Sequence, residues 1–222
     1  MEKVKKVERR FAEGYCFKKI FFLFLIGCIV GTYYEEILML FEMHKWVNRS
    51  GLIYGPFNPV YGLGFILFVV LLGKNYKTRP WYVNYLLSCL VGGITEFGLS
   101  WFEEVAFHAE SWDYTGYFLN IGGRTTIPFM LVWGLGGMLI LYVIYPWLSS
   151  WIERIPVRIG NRLYPIILIF MILNMCISYS ALFRLGMRNQ GKPPMTIVGE
   201  MLDTVYPDEF LHKAYPNLVV EK

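Results

Sequence analysis

The chain has 222 residues, 55% hydrophobic and 18% aromatic, with 21 lysines and arginines against 17 aspartates and glutamates. A mean hydropathy of +0.42 excludes an ordinary soluble domain and suits a small polytopic membrane protein. The net charge of +4 follows membrane topology, as counted below, so no nucleic-acid partner is expected.

Residues 1–19 carry Lys3, Lys5, Lys6, Arg9, Arg10, Lys18 and Lys19, a basic segment of the kind that stays in the cytoplasm. The first apolar run, residues 20–40, is long enough to span and has no small-residue cleavage site, so it reads as a span rather than a signal peptide. Further runs cover residues 52–73, 81–102, 127–149 and 164–186. Each is about 20 residues, enough to cross ~30 Å of hydrocarbon. The expected fold is all-α, a polytopic transmembrane helix bundle of about five spans forming a single domain over residues 1–190. In the remaining tail, residues 191–222, Ile197, Met201, Leu202 and Val205 recur at helical spacing. They predict a short amphipathic helix on the outer surface, acting as a lid, an interfacial foot or a plain cap. No internal repeat and no low-complexity segment stands out.

Lysine and arginine placement sets the orientation. The amino-terminal segment and the loops holding Lys74, Lys77 and Arg79 and Arg154, Arg158 and Arg162 together carry thirteen, whereas the loops of the other side carry three, Lys45, Arg49 and Arg124. The amino terminus is therefore expected inside and the carboxyl terminus outside, in a cytoplasmic membrane. Cys16, Cys28, Cys89 and Cys176 are isolated in or beside apolar runs and read as small buried residues.

The stretch RSGLIYGPFNPVYG, residues 49–62, puts Gly51, Gly55, Pro56 and Pro59 where the second span should begin. The prolines remove two backbone donors and the glycines permit a sharp bend, so one smooth helix cannot pass through. In lipid such a break persists only against protein or a wet cavity, which makes it one wall of a site that includes Arg49, Tyr54, Asn58 and Tyr61.

Glu35 lies fifteen residues after Ile20, and Glu96 fifteen after Trp81, which places both carboxylates about 22 Å from the inner boundary. Asn58 and Tyr61, entered from the opposite side, and Trp133 with Gly134 fall at a similar depth. Gly27, Gly31 and Glu35 share one helix face, as do Gly92, Glu96 and Ser100, with Glu103 one turn further out. Each face joins a carboxylate to small residues that let a neighbour approach. A charge at that depth costs about 2.5 to 3.5 kcal/mol, so both acids should face protein. Either Arg49, Arg124 or Arg184 neutralises them, or they stay unpaired and exchange protons or bind a cation. Glu36 is expected at the headgroup level.

Residues 103–126 form an acidic and aromatic connection. Trp112, Asp113, Asn120 and Arg124, with Tyr114 and the Gly122-Gly123 turn, make the other wall. The glycine turn and the start of the next helix offer an anion site to which Arg124 adds a guanidinium; the plain alternative is an aromatic belt with a tight turn. Other chemistry finds no support. Lys74 and Thr78 lack the glycine-rich loop of an ATPase, so this chain should not hydrolyse ATP itself. Glu103, Glu104 and His108 make no metal motif, no serine or cysteine has a histidine in a nucleophile setting, and no metal or cofactor is expected. Asn174 reads as glue between helices.

Gly31 with Glu35, the 49–62 stretch, Glu96 with Ser100 and Glu103, Trp112-Asp113-Tyr114, and Asn120 with Gly123-Arg124 resemble the type IV family of ABC-transporter permeases, small integral membrane proteins. The likeness covers residues 20–190, and YGPFNPVYG is its most specific part. It implies a membrane subunit working with a separate ATPase. The leading expectation is a transport protein whose outward-facing polar cavity is lined by Glu35, Arg49, Tyr54, Asn58, Tyr61, Glu96, Glu103, Trp112, Asp113, Asn120 and Arg124. Its partners would be the lipid bilayer and a separate ATPase subunit or further copies of itself. Two alternatives stay open: an outer-leaflet enzyme acting on a lipid or lipid-linked substrate, with one glutamate as general base and Arg124 on a phosphate, and a non-catalytic membrane partner.

Overall fold

The computed structural model describes residues 10–107 and 112–216, and of Glu103, Ala106 and Phe107 the backbone alone. The basic cluster Lys3 to Arg9, His108 and the last six residues lie outside the described residues. The elements are α1 (Phe17–Met43), α2 (Pro59–Leu72), α3 (Trp81–Phe107), a two-stranded hairpin of β1 (Asn120–Ile121) and β2 (Thr125–Thr126), α4 (Ile127–Leu139), a π-helical turn (Ile140–Ile144), α5 (Tyr145–Glu153), α6 (Val157–Asn189), α7 (Ile197–Val205) and α8 (Asp208–Ala214).

Four helical rods are long and apolar enough to cross a membrane: Phe17–Met43, Trp81–Phe102, Ile127–Glu153 and Val157–Asn189. The remaining expected span, residues 52–73, is divided. Its first part is irregular and its second is α2, of 14 residues, about 21 Å long and short of the hydrocarbon thickness. The cause is local. Pro59 supplies the first helical residue, where its missing N–H costs nothing. Ahead of it Gly55 takes φ +82, and the N–H groups of Gly51 and Leu52 both donate to the Phe57 carbonyl at 2.9 and 3.1 Å.

The Ile127–Glu153 rod is α4, the π turn and α5 in sequence. Pro146 has no N–H for the Tyr142 carbonyl and its ring crowds that group, so the wider turn sits where the α-helical ladder fails. At the other end the Thr126 hydroxyl caps α4 by accepting from Phe129 N–H at 3.1 Å.

The chain forms two compact units. One comprises Met1–Leu23 and Gly64–Ile155. In it α3 and α4 run antiparallel and very close. A methyl on Gly92 would overlap Trp133, one on Gly93 would meet Met130, and one on Gly134 would overlap Cys89 and Tyr85. Lys19, 2% exposed, donates to Ser149 at 2.6 Å and pairs with Glu153, so the buried ammonium is compensated. Asn84, also buried, donates to the Tyr76 carbonyl and the Tyr142 hydroxyl at 2.7 and 2.6 Å.

The other unit comprises Phe24–Leu63 and Pro156–Lys222. The middle of α1 packs on the start of α2, Gly31 against Tyr61 and Gly62 against Cys28 and Phe24. Asn174 of α6 donates to the Tyr54 carbonyl at 2.7 Å and accepts from Tyr54 N–H at 3.3 Å. Ser178 takes Ile53 N–H at 2.9 Å. The irregular 51–58 segment thus has backbone groups met by α6, and Asn174, expected to join two helices, instead joins α6 to this non-helical segment. The tail folds as two helices, α7 over the expected residues and α8 after it. Ala181, Leu185, Tyr206 and Leu211 form their shared core with α6. Arg184 grips Asp203 with two bonds of 2.8 Å, and Arg188 bonds Asp203 and Asp208.

Candidate functional site

Each of the two carboxylates, Glu35 and Glu96, is held by groups of its own unit, and the two holdings differ. Glu96 projects from the middle of α3 and is 9% exposed. One of its oxygens accepts from the Tyr114 hydroxyl at 3.0 Å and the other from the Thr125 hydroxyl at 2.6 Å. Burial, and then the charge of Glu96, push the Tyr114 phenol up to about 12, so it stays a donor at any physiological pH. No basic side chain among the described residues bonds to Glu96. Two hydroxyls solvate a carboxylate without cancelling its charge.

Glu35 of α1 is held by a charge. Arg49 Nη2 lies 3.4 Å from it, with both side chains about a quarter exposed, 24% and 25%. Asn58 Nδ2 approaches the same carboxylate at 3.5 Å and the Arg49 carbonyl at 3.3 Å, and the Tyr61 phenol interacts electrostatically with Glu35. Four of the expected site residues, Glu35, Arg49, Asn58 and Tyr61, therefore form one cluster. Arg49 Nε is buried with no partner among the described residues. Glu36 is 5% exposed and accepts from Arg49 N–H at 3.3 Å. It thus braces the Arg49 backbone.

The rest of the expected wall is mostly engaged in its own folding. Arg124 bonds Ser100 at 3.2 Å, pairs with Glu104 and lies over the Phe97 ring, 5.8 Å from its centroid. Trp112 donates its indole N–H to the Arg124 carbonyl at 2.9 Å. Asp113 is exposed and accepts from Thr115 N–H at 2.7 Å, and the Thr115 bonds hold it below the usual carboxylate range. Asn120 accepts from Gly123 N–H and donates to the Tyr117 carbonyl, both at 3.1 Å, closing the turn in which Gly122 and Gly123 take φ +60 and +71. With Thr126 capping α4 and Glu104 on Arg124, this turn holds its own groups rather than an open anion cradle. Tyr54 bonds to Asn174 and, through its hydroxyl at 2.8 Å, to Tyr206. Glu103 lies in α3, its side chain outside the described residues.

Arg184, expected as a possible partner of the acids, is committed to Asp203 in the tail. Sequence reasoning passed over Thr125 and gave Tyr114 no contact with Glu96. Both reach it from the hairpin connection, where helical periodicity carries no information. Cavities of about 510 and 420 Å³ lie under α7 and beside Lys19, and neither is lined by Glu35 or Glu96.

Residues 22–179 match the model of a family described as "Putative ABC-transporter type IV". No curated protein and no solved structure matches the chain.

Proposed function

Because this chain belongs to the type IV ABC-transporter family, we propose that it is a permease-like subunit of the cytoplasmic membrane, and that Glu96 is the acid on which its transport turns. The observation that carries this reading is the buried Glu96 carboxylate with a hydroxyl on each oxygen and no basic partner among the described residues. A structural acid at that depth would be expected to have its charge cancelled, as Glu35 has by Arg49. An acid that loads and unloads a small cation or proton needs the opposite. The irregular 51–58 segment beside α6 is the kind of broken backbone that transporters place along a substrate path.

The amino terminus is inside and the carboxyl terminus outside, with the 51–58 segment and the short α2 together making the second crossing. ATP is hydrolysed by a separate subunit or not at all, since this sequence has no ATPase motif. The enzyme alternative requires Arg124, its phosphate holder, to exchange its bonds to Glu104 and Ser100 for the ligand.

Proteoliposomes loaded with a pH-reporting dye and given an imposed pH gradient test the proposal. Wild-type protein should equilibrate the gradient roughly tenfold faster than protein-free vesicles, and Glu96→Gln should return the rate to the protein-free value. Equal rates for the wild type and Glu96→Gln would remove the role given to this acid.

A further inference from the structure

The contacts of the two units show a correspondence that reading along the chain conceals. In α1 and α3, Leu25, Cys28, Val30, Gly31 and Glu35 match Leu86, Cys89, Val91, Gly92 and Glu96 at an offset of 61 residues. Across the segments leading into α2 and α4 and the first turns of those helices, Asn48, Gly51, Pro56, Phe57, Val60, Gly62, Leu63 and Gly64 match Asn120, Gly123, Pro128, Phe129, Val132, Gly134, Leu135 and Gly136 at an offset of 72, with Tyr61 opposite Trp133. The offset grows by eleven residues within the connection, so no single period spans both halves.

The packing repeats with the sequence. A methyl on Gly31 would overlap the Cβ and Cγ of Tyr61, and one on Gly92 the same two atoms of Trp133. A methyl on Gly62 would overlap the Cys28 sulfur and the Phe24 ring, and one on Gly134 the Cys89 sulfur and the Tyr85 ring. Phe24 and Tyr85 are themselves 61 apart. Gly64 and Gly136, also matched, have nothing within 4 Å in either copy. Three pairs of positions thus agree in identity and in surroundings, and the side chains that meet in one copy are those that meet in the other.

We infer that the chain carries one helix-hairpin module twice, that Glu35 and Glu96 are one position of that module, and that the copies have diverged into a neutralised site and a site that takes a small monovalent cation, the proton included. The guanidinium of Arg49 fills the first, whereas the longer connection brings Tyr114 and Thr125 to the second and leaves Arg124 on Glu104. Pro59 stands where the second copy has Leu131, which is why α2 starts at Pro59 while α4 starts at Ile127, the match of Gly55. The division between the sites rests on the transport reading; the repeat does not.

Alanine at matched glycines separates the two. In purified full-length protein, Gly31→Ala and Gly92→Ala, and likewise Gly62→Ala and Gly134→Ala, should each lower the melting temperature, by about 2 to 12 °C for overpacking in a chain of this size. Gly64→Ala and Gly136→Ala should leave it unchanged or raise it, since alanine is the better helix former. Where the glycines facing Tyr61, Trp133, Cys28 and Cys89 give too little protein to melt, failure of all four alongside good yield of the Gly64 and Gly136 variants supports the repeat equally. Members of a matched pair that differ, one harmful and one harmless, would overturn it. Dye-loaded vesicles then address the sites. Loss of proton movement in Glu96→Gln but not in Glu35→Gln supports the division, and loss specific to sodium or potassium flux identifies the alkali ion as the occupant. Equal loss in both variants overturns the division while leaving the repeat standing, and no loss in either overturns the transport reading with it.

Discussion

At the scale of single residues, the two glutamates show why a shared motif does not fix a shared chemistry. Both were legible as functional candidates, because a carboxylate four residues after a helix-packing glycine inside an apolar run is costly and so calls for a partner. What was not legible is which partner each receives. Arg49 reaches Glu35 from the connection that follows α1, and Thr125 and Tyr114 reach Glu96 from the connection that follows α3. Connections carry no periodicity from which such contacts can be read. Removing the cation should expose the difference. Arg49→Gln leaves Glu35 without its counter-charge and should destabilise the protein by about 1 to 3 kcal/mol, less than a fully buried pair would lose because both groups are partly hydrated. Glu35→Gln in the same background should recover most of it. Thermal melts of the single and double variants check this; a double variant less stable than Arg49→Gln would mean that the pair is not the relevant interaction.

At the scale of elements, the long helices were readable from length and hydropathy, but not all of their ends: α2 starts at Pro59 and α6 at Val157, where the apolar runs begin at residues 52 and 164. The break across residues 51–58 was foreseen from its prolines and glycines, and its satisfaction by Asn174 and Ser178 is what an irregular segment in an apolar setting requires. The tail was only partly legible. Apolar spacing gave α7, but not the way Arg184 and Arg188 bind α7 and α8 to α6 through Asp203 and Asp208. This clamp has a pH signature. Bonds from Arg184, and then Arg188, hold the Asp203 carboxyl below the usual aspartate value. Its stabilising effect is therefore complete above the unfolded value of about 3.9 and is lost as the pH falls through the lower folded value. Limited proteolysis of residues 190–216 should be slow at pH 6 and accelerate below about pH 4, with Asp203→Asn fast at both. A tail that loosens as the pH rises instead would contradict the clamp.

At the scale of the whole molecule, fold class and family were accessible from the chain alone, whereas the duplication was not. Five and eight identities sit at two different offsets, and it is the pairing of Gly31 with Tyr61 and of Gly92 with Trp133 that joins them. Topology is open to a separate check. Cysteine placed at Gln190, in a background with Cys176→Ser, should react with a membrane-impermeant maleimide added to intact cells if the carboxyl terminus is outside; labelling only after lysis would reverse the orientation.

The most direct test of the functional reading looks at the carboxyl group itself. Infrared difference spectra of the reconstituted protein, recorded as the pH is stepped, should contain a protonated-carboxyl band that is lost in Glu96→Gln and kept in Glu35→Gln. A Glu96→Gln spectrum superimposable on the wild type would mean that this buried acid never changes its charge, and that the permease-like mechanism proposed for it is wrong.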